Sequence, residues 1–467
     1  MASKSGYTFL WGDNQPLWTV EAYITVFMKY RHIVWNRLDN ILLVSRDNKI
    51  LTFHSTLDVE RNKKRGRLYL DVSFPGKFIS RLEKAYKKHW KFFNSLKKVN
   101  PSKLSNDELF LYFKKTSDLW SSIIGYFGAT QAEPTYYLIE KIKKYTSNQA
   151  FYIIMAPSEL DIANKEQIDW WKLVKKDYSE KKLMEHARRY PWVVMSHFTY
   201  KDVIDTLRQR YEFDKNNHSI LDINKEKKEI KGKQDILIKR NPKLKPLMKL
   251  VHRLSLSRME IKSCWAGSDF YLIPIIKEIS SRTGEQIYDI NKYYRIDEIK
   301  ELLKGKRLTA EEKERRKMCF VGLLKNGKAV YESGDSAEKL AKKELKGLYE
   351  TRSSSELKGV IANSGKVVGV ARVLEANNVS QLRELRKSFQ KGQIIVTQMT
   401  QPSVMDIASK AAALVTDEGG MLSHAAVISR EFKIPCIVGT HFATSTIKDG
   451  EMIEVDAEKG IVKKIKS

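Results

Sequence analysis

The stretch Thr416-Asp417-Glu418-Gly419-Gly420-Met421-Leu422-Ser423-His424-Ala425-Ala426-Val427-Ile428-Ser429-Arg430-Glu431 lies between two apolar runs, Ala411–Val415 and Ile434–Val438. The order reads as strand, glycine-rich turn, helix, strand. Gly419 and Gly420 permit backbone angles and close approaches that side chains would block. Ser423 suits the N-cap of the following helix. His424 then falls in the first helical turn, where unpaired backbone N–H groups face outward. An imidazole attacks phosphorus only when unprotonated, and the positive end of a helix disfavours the imidazolium. The same N–H groups favour a dianionic phosphoryl group once it is attached. The pattern points to His424 as a nucleophile that carries a phosphoryl group. Ala425 and Ala426 predict a thin helix face open to close approach by a partner's active site. Arg430, nearly two turns on, reads as a surface salt-bridge residue. A Gly-Gly-x-x-Ser-His string standing alone would equally suit a cap or a satisfied buried histidine.

Around this segment, strand-like runs fall at Val367–Leu374, Gln393–Thr397, Pro435–Val438, Met452–Val455 and Ile461–Ile465, with helices at Ser380–Phe389 and Ser403–Ser409. Residues 357–467 are expected to form one α/β domain. A polar tract, Tyr349–Ser355, marks a boundary, with a linker at 351–356. Residues 1–350 read as mainly helical. Ser105 with Glu108 and Thr309 with Glu312 are capping boxes. Lys245–Ser281 predicts a long helix interrupted near Gly267 and Pro274. Arg46-Asp47-Asn48 and Lys325-Asn326-Gly327-Lys328 are hairpin signals. The expected fold is multidomain α+β: a mainly α-helical N-terminal region with short β-hairpins, then a C-terminal β/β/α domain.

The string from Asp417 through Ala426, with Arg430-Glu431 and Ile434-Pro435-Cys436-Ile437-Val438-Gly439-Thr440, resembles the mobile, swivelling domain of the phosphoenolpyruvate-utilising enzymes. Gly359–Ala362, Gly365–Gly369, Gly392–Thr397, Thr400-Gln401-Pro402, Lys448-Asp449-Gly450 and Val455-Asp456 with Gly460 extend the likeness over roughly 357–466. The resemblance implies that His424 is the phosphorylated histidine, with Thr416, Gly419, Gly420 and Ser423 shaping its site. Leu422, where many members have Thr, is closer to the antibiotic-phosphotransferase branch. In that comparison the helical region resembles the acceptor-binding domain of rifampin-phosphotransferase-like proteins. His186, Trp192, His197 and Tyr200 are candidate pocket residues there, each also readable as core or surface of a helix bundle.

No (β/α)8 barrel is expected after the histidine domain. Residues 1–350 lack the Gly-rich phosphate loop and strand-borne acidic pair of an ATP-grasp domain, and Arg352-Ser353-Ser354 has no supporting context. The expectation is thus a phosphotransferase component with no tightly bound cofactor. ATP and Mg²⁺ would act through a separate ATP-grasp partner, and a small molecule would be the acceptor. The alternative is a non-catalytic, phosphorylation-dependent scaffold or regulatory subunit.

Composition adds bounds. The 467 residues carry a net charge of +28. Thirteen Lys/Arg stand against four carboxylates between Lys225 and Lys262, readable as an anion-binding face or, preferably, as a solvated surface. Interleaved aromatics and a recognised nucleic-acid fold are lacking, so nucleic acid is not the expected partner. No apolar run spans a bilayer, and the N-terminus lacks a signal-peptide core. A cytoplasmic protein with no membrane partner is expected. Cys264, Cys319 and Cys436 form no metal or disulfide pattern and read as small buried hydrophobes.

Overall fold

The structure of the chain, a computed structural model, describes residues 6–176, 179–216, 223–346, 356–374, 379–400 and 404–465. Five antiparallel strands, β1 (Tyr7–Asn14), β2 (Asn40–Arg46), β3 (Lys49–Ser55), β4 (Phe320–Lys325) and β5 (Lys328–Ser333), form one sheet in the order β1-β3-β2-β4-β5. Its two tight loops are those the sequence predicts. Asp47 and Asn48 have φ of 44° and 65°, and Asn326 and Gly327 have 52° and 78°. Positive φ at both central residues twists the loop to match its strands. The hairpins are not separate, however: β2 pairs with β4 although some 270 residues part them. β1 was not expected. A register shift between Phe9 and Trp11 breaks its alternation, and its Gly12 is a weak strand former.

Helices pack around this sheet. Those that matter below are α1 (Trp18–Lys29), α2 (Asn106–Gly128), α3 (Ala132–Lys143), α4 (Ile223–Arg240) and α5 (Leu244–Thr283). The Ser105 capping box opens α2. α5 runs unbroken for 40 residues, about 60 Å at 1.5 Å per residue. The expected interruptions are absent. Pro274 is accommodated inside the helix, and Gly267 is a close-packing position, where a Cβ would sit 2.8 Å from Pro191 Cγ. Gly284 ends the helix with φ of 68°. Trp18, Trp35, Phe113 and Trp120 centre the largest buried cluster.

Among its described residues the C-terminal unit has eight strands: β6 (Glu356–Lys358), β7 (Val360–Asn363), β8 (Lys366–Leu374), β9 (Ile394–Thr397), β10 (Ala413–Thr416), β11 (Cys436–Val438), β12 (Met452–Asp456) and β13 (Ile461–Lys464). Their order is β6-β13-β12-β8-β9-β10-β11-β7. β8 through β11 are parallel neighbours, and the remaining pairs are antiparallel. Helix α6 (His424–Glu431) connects β10 to β11. Residues 347–355, which include most of the expected linker and Arg352-Ser353-Ser354, lie outside the described residues, and Glu356 already belongs to β6. Gln401 and Pro402 also lie outside them.

The two halves of the chain touch through the glycine-rich loop. Met421 and Leu422 are buried in the same apolar cluster as Trp18 and Trp120. Gly420 abuts α3, where a Cβ would lie 2.9 Å from that of Ala132. Lys227 on α4 forms a 2.8 Å ion pair with Glu431 on α6, with side chains only 7% and 8% exposed. All three cysteines are buried and free. Among the described residues, no helix is long and apolar enough to cross a membrane.

Candidate active site

The strand–turn–helix segment is built around backbone constraints. Thr416 Oγ1 donates to the Glu418 carbonyl at 2.6 Å and tightens the turn. Gly419 has φ of 111°, and a Cβ there would meet Ser423 at 2.9 Å. Ser423 accepts from the Ala426 N–H and caps α6. Asp417, buried, accepts from Thr444 and Thr440, and its proton affinity rises through burial. Arg430 departs from the sequence reading. It is not a surface ion-pair residue. Its guanidinium donates to the Met421 carbonyl at 2.6 Å and to the Ala362 carbonyl at 3.2 Å, and burial lowers its pKa to about 10. It fastens the loop to the sheet. Ala425 and Ala426 also differ from expectation, since both face the core of the C-terminal unit rather than solvent.

His424 is the first residue of α6 and is 8% exposed. Its Nδ1 lies 2.9 Å from Thr400 Oγ1. Burial first, and then the neighbouring Lys262 charge, pushes its pKa down to about 3. The ring is thus neutral at physiological pH, mainly through desolvation, where the sequence reading invoked the helix terminus.

A cavity of about 150 Å³ opens beside His424. Ser423, His424, Gly419, Glu418 and Asp417 form one side, and β1, α1, α2 and α5 supply the others. Lys262 and Arg258, one turn apart on α5, line it. Burial lowers Lys262 to about 8 against the pull of Asp13 and Glu418. Arg258 is lowered to about 10 by burial, donates to Thr130 and lies 4.3 Å over the Phe127 ring. Glu418 accepts from the Gly12 N–H at 2.8 Å, and burial raises its pKa well above the usual carboxylate range. Tyr23 and His54 form a 3.0 Å hydrogen-bonded pair in the same cavity.

Thr416, Gly419, Gly420, Ser423 and His424 therefore converge on one loop. His186, Trp192, His197 and Tyr200 do not join them at this cavity. His186 is buried against Glu166 at 2.8 Å. Trp192 packs in the core. His197 is engaged by the Met195 carbonyl and Thr206. Tyr200 is 40% exposed and rests on Phe270. These four are taken up by the helix bundle itself. Arg258 and Lys262 went unremarked as site residues. Their signal was a pair of cations four residues apart between Leu254, Ile261, Cys264 and Trp265, all buried. The Lys225–Lys262 segment is accordingly not one solvated face.

Residues 389–460 match the family model described as PEP-utilising enzyme, mobile domain. The likeness to the phosphoenolpyruvate-utilising enzymes is thus one of this C-terminal unit. It is 40% identical over 135 residues to a probable phosphoenolpyruvate synthase of Staphylothermus marinus, covering 29% of this chain and 16% of that one. It is 32% identical over 169 residues to an uncharacterized phosphotransferase, YvkC, of Bacillus subtilis, covering 35% and 20%. The matched region thus spans a fifth or less of either relative. A solution structure of Enzyme I aligns over 62% of this chain and 82% of its own at 15% identity, with a TM-score of 0.20, too loose a superposition to define a shared fold.

Proposed function

We propose that the chain is a phosphotransferase component in which His424 is transiently phosphorylated and passes the phosphoryl group to a small molecule held in the cavity. The observation that carries this reading is the position of His424 on the wall of a cavity that the C-terminal unit and the N-terminal half build together. In the tautomer that carries its proton on Nδ1 and donates it to Thr400 Oγ1, 2.9 Å away, the lone pair resides on Nε2. In charging, Nε2 bonds to phosphorus as the donor's bridging P–O bond breaks and its electron pair leaves with the donor oxygen. In delivery, the acceptor hydroxyl oxygen attacks in line, the Nε2–P bond breaks and its pair returns to Nε2. Nδ1 keeps its proton, so the ring departs as neutral imidazole. The acceptor's proton passes to the carboxylate form of Glu418, which lines the same cavity. Lys262 and Arg258 offset the charge of the group in flight.

A histidine 8% exposed cannot enter an active site on another molecule. Charging therefore requires the C-terminal unit, 357–467, to swing away from the helical region, which is the swivelling role. The donor in this reading is ATP with Mg²⁺, handled by a separate ATP-grasp protein of the cytoplasm. The test is acid-labile, base-stable phosphate on the full chain, formed by phosphoramidate or by ATP with such a partner. Label mapped to His424 and absent from His424→Ala supports the reading. An unlabelled wild-type chain beside a demonstrably active partner overturns it.

A further inference from the structure

The cavity also constrains the acceptor. Its walls are dominated by rings: Trp11, Tyr23, Trp35, Trp120, Phe127 and Trp265 all line it. The indole N–H groups of Trp35 and Trp265 are buried without a hydrogen-bond partner, which is costly unless a ligand or water supplies an acceptor. A volume of about 150 Å³ is that of engineered apolar cavities that admit benzene. The ionisable side chains of the lining are two bases, Arg258 and Lys262, and four acids, Asp13, Glu133, Asp417 and Glu418, and burial favours the neutral form of Lys262, Glu133, Asp417 and Glu418. An enclosure that disfavours charge on its own side chains also disfavours an anionic acceptor. An incoming phosphoryl dianion makes a second anion less favourable still.

Resting on the carrier reading above, we infer that the phosphoryl acceptor is an uncharged, ring-bearing hydroxyl compound of about single-ring size, a phenol or an arylmethanol. The ring lies among the aromatic walls. The hydroxyl points to the charged end where His424, Lys262 and Glu418 meet. Small carboxylates such as pyruvate fit neither the walls nor the charge.

Gly128, the last residue of α2, supplies the test. It lines the cavity, and a Cβ added there meets nothing within 4 Å. Leucine at this helical position also has the better helix propensity, so Gly128→Leu fills the space without disturbing the fold. Phenol and benzyl alcohol are titrated into the full chain by calorimetry and tryptophan fluorescence, with pyruvate and glycerol as competitors. Saturable one-to-one binding of phenol or benzyl alcohol is expected. It should weaken at least tenfold in Gly128→Leu and less in Gly128→Ala. Unchanged binding in a folded Gly128→Leu overturns the inference, as does tighter binding of pyruvate or glycerol than of either ring compound. Binding is read without phosphorylation, so failure of His424 to label condemns the carrier reading and leaves the cavity result standing. Conversely, a labelled His424 in a chain that binds no ring compound condemns only the acceptor class. Loss of label with formation of phenyl or benzyl phosphate, followed by phosphorus NMR, completes the case.

Discussion

Replacing Lys227 by methionine should release the C-terminal unit. Lys227 Nζ contacts Glu431 at 2.8 Å and the Pro157 carbonyl at 2.9 Å, deep between α4 and α6. With the ammonium gone, docking would bury Glu431 unpaired, whereas the undocked unit leaves that carboxylate in water. Removing one partner of a buried pair costs about 3–5 kcal/mol. Because Glu431 is solvated once the unit is free, this cost falls on the docked state alone. At 1.4 kcal/mol per decade, the docking equilibrium shifts by about two to three and a half decades. The assay is the initial rate of His424 phosphorylation by phosphoramidate, since the histidine is 8% exposed when docked and reacts from the open state. The rate should rise about a hundredfold or more, up to the limit set by the fully open chain. The double variant Lys227→Met/Glu431→Leu restores an uncharged contact and should recover most of the protection. A folded Lys227→Met chain that labels at the wild-type rate, or a double variant no better protected than the single one, refutes the argument.

Three further outcomes are expected. Lys262 titrates at about 8 inside the cavity rather than 10.5, so its cation is present below pH 8 and lost above it. Phosphoryl delivery should fall as pH rises through about 8, and Lys262→Met should flatten that limb of the rate profile. His424 is lowered to about 3 from 6.5, so stability from its neutral burial is present above pH 6.5 and lost as pH falls towards 3. Near pH 4.5 the loss approaches about 3 kcal/mol, and denaturant midpoints of His424→Ala against wild type should converge between pH 7 and 4.5. Gly420→Leu drives a side chain into Ala132 while sparing the C-terminal sheet. It should speed phosphoramidate labelling and abolish delivery, whereas equal delivery to wild type would show that Gly420 tolerates the contact.

The sequence was most legible where chemistry is local. Hairpin loops at Asp47-Asn48 and Asn326-Gly327, the Ser105 cap and the strand–turn–helix around Gly419 are written in neighbouring residues, and each appears in the structure. What escaped depends on partners distant in sequence. β1 exists because β3 offers it an edge, and the joining of two hairpins into one sheet is a long-range pairing. Arg430 looked like a surface residue because its acceptors are backbone carbonyls, which no residue pattern announces. The cavity was hidden for the same reason. Arg258 and Lys262 belong to a basic stretch in which Lys231 and Lys233 face solvent. Only tertiary packing separates the two kinds. His186, His197 and Trp192 show the converse, since types that suit chemistry are also types that satisfy a bundle's interior.

The glycine-rich loop has two duties in space: it holds His424 and forms one side of the cavity. In a transfer cycle, the arrival of the phosphoryl group and the narrowing of the cavity mouth are therefore one motion. A P–N bond is wasted whenever water reaches it before the acceptor does. In the proposed cycle the acceptor enters before the loop seats itself, because Asp417, Glu418, Gly419 and Ser423 of the seated loop form one side of the cavity. On the proposed function, fidelity would follow from order: acceptor first, phosphoryl group second. Futile hydrolysis should be highest when the cavity is empty and fall as acceptor fills it.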